Sequence, residues 1–421
     1  MCVRRWWASR RVCVRESSVT APRPGLAPLY LAGFTTAFGA HGIAAALGAE
    51  TEDIGWTLLA FGLTLALYDL AEVLLKPLFG ALSDRIGVRP VIVGGLLAFT
   101  AFSVLGALLP GTVGLIIARF GQGAAASAFS PASSAAVARL ADGASRGRYF
   151  GRYGSWKSLG YALGPLIGAV LVVWGGLPAL FWALAVIGLA AAGWVLIAVP
   201  KVPVLPRRRV SLIDLGREIA APGFVVPTLV LAATTGALAV AVGFLPLLAR
   251  EAGIGTVGSM ALVTVLAVVS AVVQPLIGAA HDRGRVSVRL GALGGLALIA
   301  GGIGAAGAVS FAPDAVLPAL IGLTATALLV GAGVGAATPV AFAHLAASTP
   351  HDRMGRTMGS AEIGRELGDA GGPLIAGAVG TASVAGAGLL VVAALTVGAG
   401  ALAALGLRSA DRGSGGRRAG G

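Results

Sequence analysis

Long apolar runs separated by short polar breaks dominate the chain. They cover approximately residues 27–48, 54–82, 90–109, 112–139, 148–173 and 176–199, and then, after a polar stretch, 222–250, 256–281, 286–310, 315–346, 355–381 and 382–406. A helix that spans a bilayer needs about 20 predominantly apolar residues, and each run is long enough. In hydrocarbon the backbone must satisfy its own hydrogen bonds, which a helix does within one segment. The pattern predicts an all-α membrane protein with twelve transmembrane helices in two six-helix bundles. The expected organisation is a basic tail at 1–26, a first bundle at 27–199, a linker at 200–221, a second bundle at 222–406 and a tail at 407–421.

Composition agrees. Hydrophobic residues make up 57% of the chain and charged residues 12%, against about 25% charged in an ordinary soluble domain. Mean hydropathy is +0.88. A soluble fold could not hide so much apolar side chain, and the 65 glycines suit helices that pack closely in lipid.

The net charge of +13 is spread over short loops rather than gathered on a soluble module, so nucleic acid is not an expected partner. Of the 31 Lys and Arg residues, 26 fall in the two tails, the linker and the loops on one side of the bundle. Only Arg250 falls on the other side, with Glu50, Glu52 and Asp53. Basic loops stay in the cytoplasm, so both termini and the linker are expected there. Only three of the basic residues are lysines, a bias of GC-rich bacterial genomes that points to the inner membrane. Cys2 and Cys13 form neither a disulfide framework nor a metal site. Residues 1–23 lack the apolar core of a secretory signal and are expected to be a disordered tail or, in part, a misassigned start.

The two halves repeat. KPLFGALSDRIG from Lys76 matches QPLIGAAHDRGR from Gln274, and GRYFG from Gly147 matches GRTMG from Gly355. In the same alignment Gly160, Gly164 and Pro165 fall on Gly368, Gly372 and Pro373, and Lys157 falls on Arg365. Parallel repeats of six helices are a transporter architecture with the substrate bound between the halves.

The motifs resemble those of the major facilitator superfamily, over nearly the whole chain. Gly80, Asp84, Arg85, Gly87 and Arg89 match its loop motif after the second helix, and Gly278, Asp282 and Arg283 form a weaker copy. Arg119 and Gln122 resemble its fourth-helix motif, and Gly160, Gly164, Pro165 and Gly168 resemble a fifth-helix motif associated with antiporters. Ala169 stands where many members carry a second glycine, which weakens the antiporter label. The resemblance implies that Asp84 meets the start of the eleventh helix near Arg356 and steadies an outward-open state. A carboxylate is stabilised at a helix N-terminus, while Gly87 allows a tight turn. The alternative is an ordinary cytoplasmic turn with topogenic arginines.

Charges inside the membrane are costly and usually face a partner or a cavity. The second segment carries Asp69, Glu72 and Lys76, and the eleventh carries Glu362, Arg365, Glu366 and Asp369, spaced three and four apart and therefore on one face. The resemblance implies that these two helices meet across the halves. Counting about 1.5 Å per residue brings Lys76 level with Glu362, Glu72 with Arg365, and Asp69 with Asp369. Either the charges form an interdomain ladder, or Glu72–Lys76 and Arg365–Asp369 neutralise each other within their own helices. Facing carboxylates in a dry setting do not both ionise easily, which makes Asp69 and Asp369 candidate proton carriers. Arg119 has a coupling or substrate role by resemblance, or a packing role bonded to helix carbonyls. Ser270 stands where Lys157 would find its carboxylate, so Lys157 either attracts an anionic substrate or snorkels to the cytoplasm. His41, Gln122, Lys157 and His344 are the candidate cavity residues.

No phosphate-binding glycine loop precedes any lysine, and no metalloprotease or nucleophile-elbow signature occurs. Neither an ATP-driven pump nor an enzyme is expected, and no cofactor or metal. The expected function is secondary transport by alternating access, driven by the proton gradient and carried out by a monomer. Export of a small, partly hydrophobic molecule is the first reading. The alternatives are proton-coupled uptake of an organic anion or other metabolite, and a sensor with a transporter fold.

Overall fold

The computed structural model describes residues 25–50, 58–109, 111–141, 143–201, 220–311 and 316–418. Cys2, Cys13 and the linker arginines at 207–209 lie outside the described residues. Eleven helical stretches run through the described residues. The first four are α1 (Ala27–Glu50), α2 (Leu58–Ile86), α3 (Val88–Leu108) and α4 (Thr112–Leu140). The stretch Arg146–Ala198 leaves helical geometry at Gly175 and at Gly176, which has φ 66°. Its two limbs, 146–174 and 177–198, are α5 and α6. The second half comprises α7 (Pro222–Glu251), α8 (Thr256–Asp282), α9 (Val288–Val309), α10 (Val316–Ser348), α11 (Met354–Ala382) and α12 (Ala385–Arg418). α12 continues past the apolar run that ends at 406, so the expected C-terminal tail begins as helix.

Seven of the stretches are long and apolar enough to cross a membrane by composition alone. α11 is kept out of that set by its own charges, since every 18-residue window along it holds at least three of Glu362, Arg365, Glu366 and Asp369. Between α2 and α3 the chain reverses at Gly87, whose φ of 94° is a left-handed conformation that glycine adopts without a Cβ penalty. Phe38, Phe99, Phe129 and Phe181 fill the core of the first half, where the Phe99 and Phe129 rings meet edge to face at 5.8 Å. Trp174, Ile197, Leu74 and Leu276 stand exposed on the outer face, the side that lipid covers.

Glycines set the closest helix pairs, and they do so alike in both halves. A Cβ at Gly160 would meet Ala37 and the Phe34 carbonyl at 2.8 Å, one at Gly164 the Phe38 carbonyl at 2.9 Å, and one at Gly168 the Gly42 carbonyl at 3.1 Å, so α5 lies directly on α1. Likewise Gly368 lies against the Ala232 carbonyl and Gly372 against the Gly236 carbonyl, which seats α11 on α7. Pro165 and Pro373 occupy equivalent places within these helices. The halves meet mainly where α2 packs on α11 and α5 on α8. The rings of Phe150 on α5 and Phe342 on α10 also stack across that boundary at 5.2 Å.

Candidate functional site

One end of the bundle is closed by two copies of the same contact. The first residues of a helix have unpaired N–H groups and a positive dipole end. Asp84, in the last turn of α2, accepts from the Gly355 N–H at 2.7 Å and the Arg356 N–H at 2.9 Å, at the start of α11. Asp282, at the end of α8, accepts from the Gly147 and Arg148 N–H groups at 2.8 Å each, at the start of α5. Asp84 is also paired with Arg139 of α4. The backbones touch because neither side carries a Cβ: one built on Gly80 would lie 2.5 Å from the Gly355 carbonyl oxygen, and Gly278 abuts the Gly147 carbonyl. Arg85 and Arg283 are exposed beside these contacts, and Arg89 donates to the Leu196 carbonyl at the end of α6, within its own half.

Deeper along the same boundary lies a buried cluster of charges. Lys76 on α2 is fully buried. It binds Glu72 one turn back on its own helix, reaches Glu366 Oε1 on α11 at 2.5 Å, and lies 4.0 Å from Glu362. Glu362 also meets Arg365 of its own helix at 3.3 Å and Lys157 of α5 at 3.4 Å. Arg365 donates from Nε to Thr235 Oγ1 on α7 at 3.2 Å. The cluster therefore joins the halves through α2, α5 and α11. Two pairings differ from those expected from depth alone. Lys76 takes Glu366 more closely than Glu362, and Glu72 is held by Lys76 rather than by Arg365. Lys157 has a carboxylate partner and is buried, so it neither lacks one nor snorkels outward; its partner comes from α11, not from the α8 position occupied by Ser270.

Beside the cluster is a cavity of about 110 Å³, closed in by α1, α2, α4, α5 and α11. Asp69, Glu72, Glu366 and Asp369 face it as acids, and Arg119 and Lys157 as bases. Asp69 and Asp369 form no ion pair or hydrogen bond among the described residues, and Asp369 Oδ1 is buried. Arg119 is not bonded to helix carbonyls: its guanidinium lies 4.3 Å over the Tyr68 ring, and Nε and Nη1 are buried with no acceptor among the described residues. His41 lines the cavity with its ring 4.1 Å from that of Tyr161. Gln122 does not line it; its amide donates to Ser103 Oγ on α3 at 2.8 Å, a contact within the first half. His344 lines neither this cavity nor a smaller one behind Lys157 and Tyr161.

Sequence reasoning passed over Tyr161, Tyr68 and Thr235. Tyr161 carried a usable signal, since the repeat that aligns Lys157 with Arg365 also places Tyr161 on Asp369. Thr235 carried none, because threonines on apolar helices usually bond to their own backbone, as Thr235 also does to Leu231.

Comparison with known proteins agrees with this geometry. A segment 35% identical over 137 residues, 32% of this chain, matches 30% of the inner membrane transport protein YajR of Escherichia coli. The multidrug resistance protein MdtH of Yersinia enterocolitica is 32% identical over 162 residues, 38% of this chain and 39% of that protein. The class C tetracycline resistance protein of Escherichia coli is 36% identical over 111 residues, 26% of this chain and 28% of that one. The chain thus aligns with about a third of the length of these relatives. In overall fold it superposes on a crystal structure of the human organic anion transporter MFSD10 (TETRAN) with a TM-score of 0.74 at 18% identity, covering 90% of this chain and 98% of that one. The sequence profile of the Major Facilitator Superfamily matches residues 29–327. Two repeated six-helix bundles, joined by a duplicated carboxylate-to-helix contact, accord with that match: the chain belongs to the Major Facilitator Superfamily.

Proposed function

We propose that the protein is a proton-driven exporter of a small, partly hydrophobic molecule, working by alternating access in the inner membrane. The observation that carries this reading is the charge balance of the buried site. Five carboxylates (Asp69, Glu72, Glu362, Glu366, Asp369) face four bases (Lys76, Arg119, Lys157, Arg365) among the described residues. Uncompensated charge is expensive away from water, so the surplus carboxylate favours a proton, or a cation in its place. Asp69 and Asp369, unpaired and on opposite halves, are the natural carriers. Exchange of one proton for one monocationic substrate then neutralises the site in either state. Basic loops put the Asp84 end, both termini and the linker in the cytoplasm. The contacts at Asp84 and Asp282 close that end, as an outward-facing transporter requires. The names of the multidrug and tetracycline resistance relatives support export, as does the resemblance of Gly160, Gly164, Pro165 and Gly168 to the antiporter-associated motif.

Uptake of an organic anion by proton symport is the second reading, favoured by the unpaired Arg119 guanidinium in the cavity wall. The test is reconstitution in liposomes with an internal pH dye and a panel of lipophilic cations, neutral drugs and organic anions. Compound-dependent proton movement opposite to the compound supports export by antiport; movement in the same direction supports symport. No proton movement with any compound, together with counterflow of labelled compound, would overturn proton coupling.

A further inference from the structure

The repeat puts the two seams between the halves in residue-by-residue register. The offset that carries Lys76 to Gln274 carries Glu72 to Ser270, and the offset that carries Gly147 to Gly355 carries Gly154 to Glu362 and Ser158 to Glu366. Four positions that form the ionic core of the α2–α11 seam therefore have four counterparts in the α5–α8 seam. Every counterpart is neutral. Gln274 Nε2 donates to Ser158 Oγ at 2.8 Å and to Ser270 Oγ at 3.1 Å, and the two serine hydroxyls lie 3.1 Å apart. Ser155 Oγ adds a bond to the Ala271 carbonyl at 2.5 Å. The Gln274 amide oxygen fills the place where a side chain at Gly154 would stand, which is where Glu362 projects in the other seam. At the closed end the seams are alike, each with its aspartate on a helix start. Apart from the Arg139 guanidinium on Asp84, they differ in the buried layer.

The geometry points to a division of labour: the α2–α11 seam is the proton-sensitive gate, and the α5–α8 seam is a hinge that stays joined whatever the ionisation state. Hydroxyl and amide bonds do not change with pH in the physiological range. A buried ion pair that loses one charge, by contrast, leaves the other uncompensated. Protonation of Glu366 would leave Lys76 without its close partner across the seam and would favour separation of α2 from α11, where water reaches it.

Further charged and titratable groups face this seam. From α2 come Asp69 and Tyr68, from α4 Arg119, and from α11 Arg365 and Asp369; from α1 comes His41. α5 contributes Lys157, Tyr153 and Tyr161, and Lys157 shares Glu362 with Arg365 and Lys76. Within the ion-pair cluster itself, protonation of Glu366 leaves Lys76, Lys157 and Arg365 with Glu72 and Glu362 alone. In contrast, α8 has no ionisable side chain before His281. The proposal rests on alternating access and not on the substrate, its direction or proton stoichiometry.

Spin-label distances in lipid nanodiscs test it without any substrate. With Cys2 and Cys13 changed to serine, one label pair at Arg85 and His351 reports α2–α11. A second pair at Arg283 and Gly143, the equivalent exposed positions, reports α5–α8. On acidification from mildly alkaline to mildly acidic pH, the first pair should gain a longer-distance population and the second should not shift. Glu366→Gln should give the longer α2–α11 population already at alkaline pH. The combined variant Lys76→Gln, Glu72→Ser, Glu362→Gly, Glu366→Ser gives α2–α11 the composition of its counterpart and should abolish the pH response. Equal shifts in both pairs, no shift in either wild type or Glu366→Gln, or a pH response surviving in the combined variant would each overturn the proposal. Failure to find coupled flux in liposomes would count against proton-driven export alone, because these distances are read without substrate.

Discussion

Asp84 and Asp282 hold opposite halves of the molecule in the same way, each through two consecutive backbone N–H groups at 2.7–2.9 Å. They are not equal in strength, because Asp84 alone adds a guanidinium, that of Arg139, among the described residues. Hydrogen bonds to charged groups are worth about 1.5–3 kcal/mol each. Asp84→Asn is therefore expected to shift the protein towards opening at this end more than Asp282→Asn does. Alkylation of a cysteine at Ser83, buried in the closed end, should rise roughly ten- to a hundred-fold in the Asp84 variant, since each 1.4 kcal/mol is about tenfold.

Lys76 and Lys157 should respond differently to removal of their charge. Lys76→Met strands two carboxylates, Glu72 and Glu366, whereas Lys157→Met leaves Glu362 still held by Arg365. Breaking a buried pair costs about 3–5 kcal/mol. The apparent Tm in detergent should fall much further for Lys76→Met than for Lys157→Met, and adding Glu366→Gln to Lys76→Met should restore part of it.

Adjacent glycines on α11 make a sharp comparison. A Cβ at Gly371 meets nothing within 4 Å, while one at Gly372 runs into the Gly236 carbonyl of α7. Gly371→Ala should be neutral or stabilising by about 0.5–1 kcal/mol, since helical glycine is intrinsically unfavourable. Gly372→Ala should destabilise by about 1–3 kcal/mol, as overpacking does. Thermal unfolding of the two variants checks the sign of each.

Asp69 and Asp369 are expected to carry the coupled proton. Asp69→Asn and Asp369→Asn should each abolish proton-driven accumulation while leaving labelled-substrate counterflow intact, because neither aspartate supports the ion-pair cluster. Full proton-driven transport in both variants would remove them from the mechanism.

Much of this arrangement was legible from one sequence because membranes and duplication both impose regular spacing. The apolar runs marked the helices, Gly87 marked the turn before α3, and the repeat identified Asp282 as the counterpart of Asp84 in the other half. Side-chain pairing was less legible. Cα–Cβ bonds tilt towards a helix N-terminus, so Lys76 on α2 reaches deeper than its own Cα while the α11 carboxylates lean the other way. That tilt displaces the pairing by one turn, from Glu362 to Glu366. Lys157 was misjudged for a different reason: its symmetry-related neighbour on α8 is neutral, and the carboxylate it meets arrives from a third helix, which no pairwise comparison of repeats contains. Gln122 shares the fourth-helix motif with Arg119, but its amide is taken up by Ser103 on α3 and not by the cavity.

The contact between Gly80 and Gly355 has a bearing on how this protein can change over generations. Most packed positions can absorb an enlargement on one side by a reduction on the other. Here both partners are already at the smallest size available, and the atom in the way is a main-chain oxygen. A mutation at Gly80 therefore has no reciprocal remedy at Gly355. Revertants selected after Gly80→Ala should map to residues that set the tilt of α2 or α11, or should restore glycine itself.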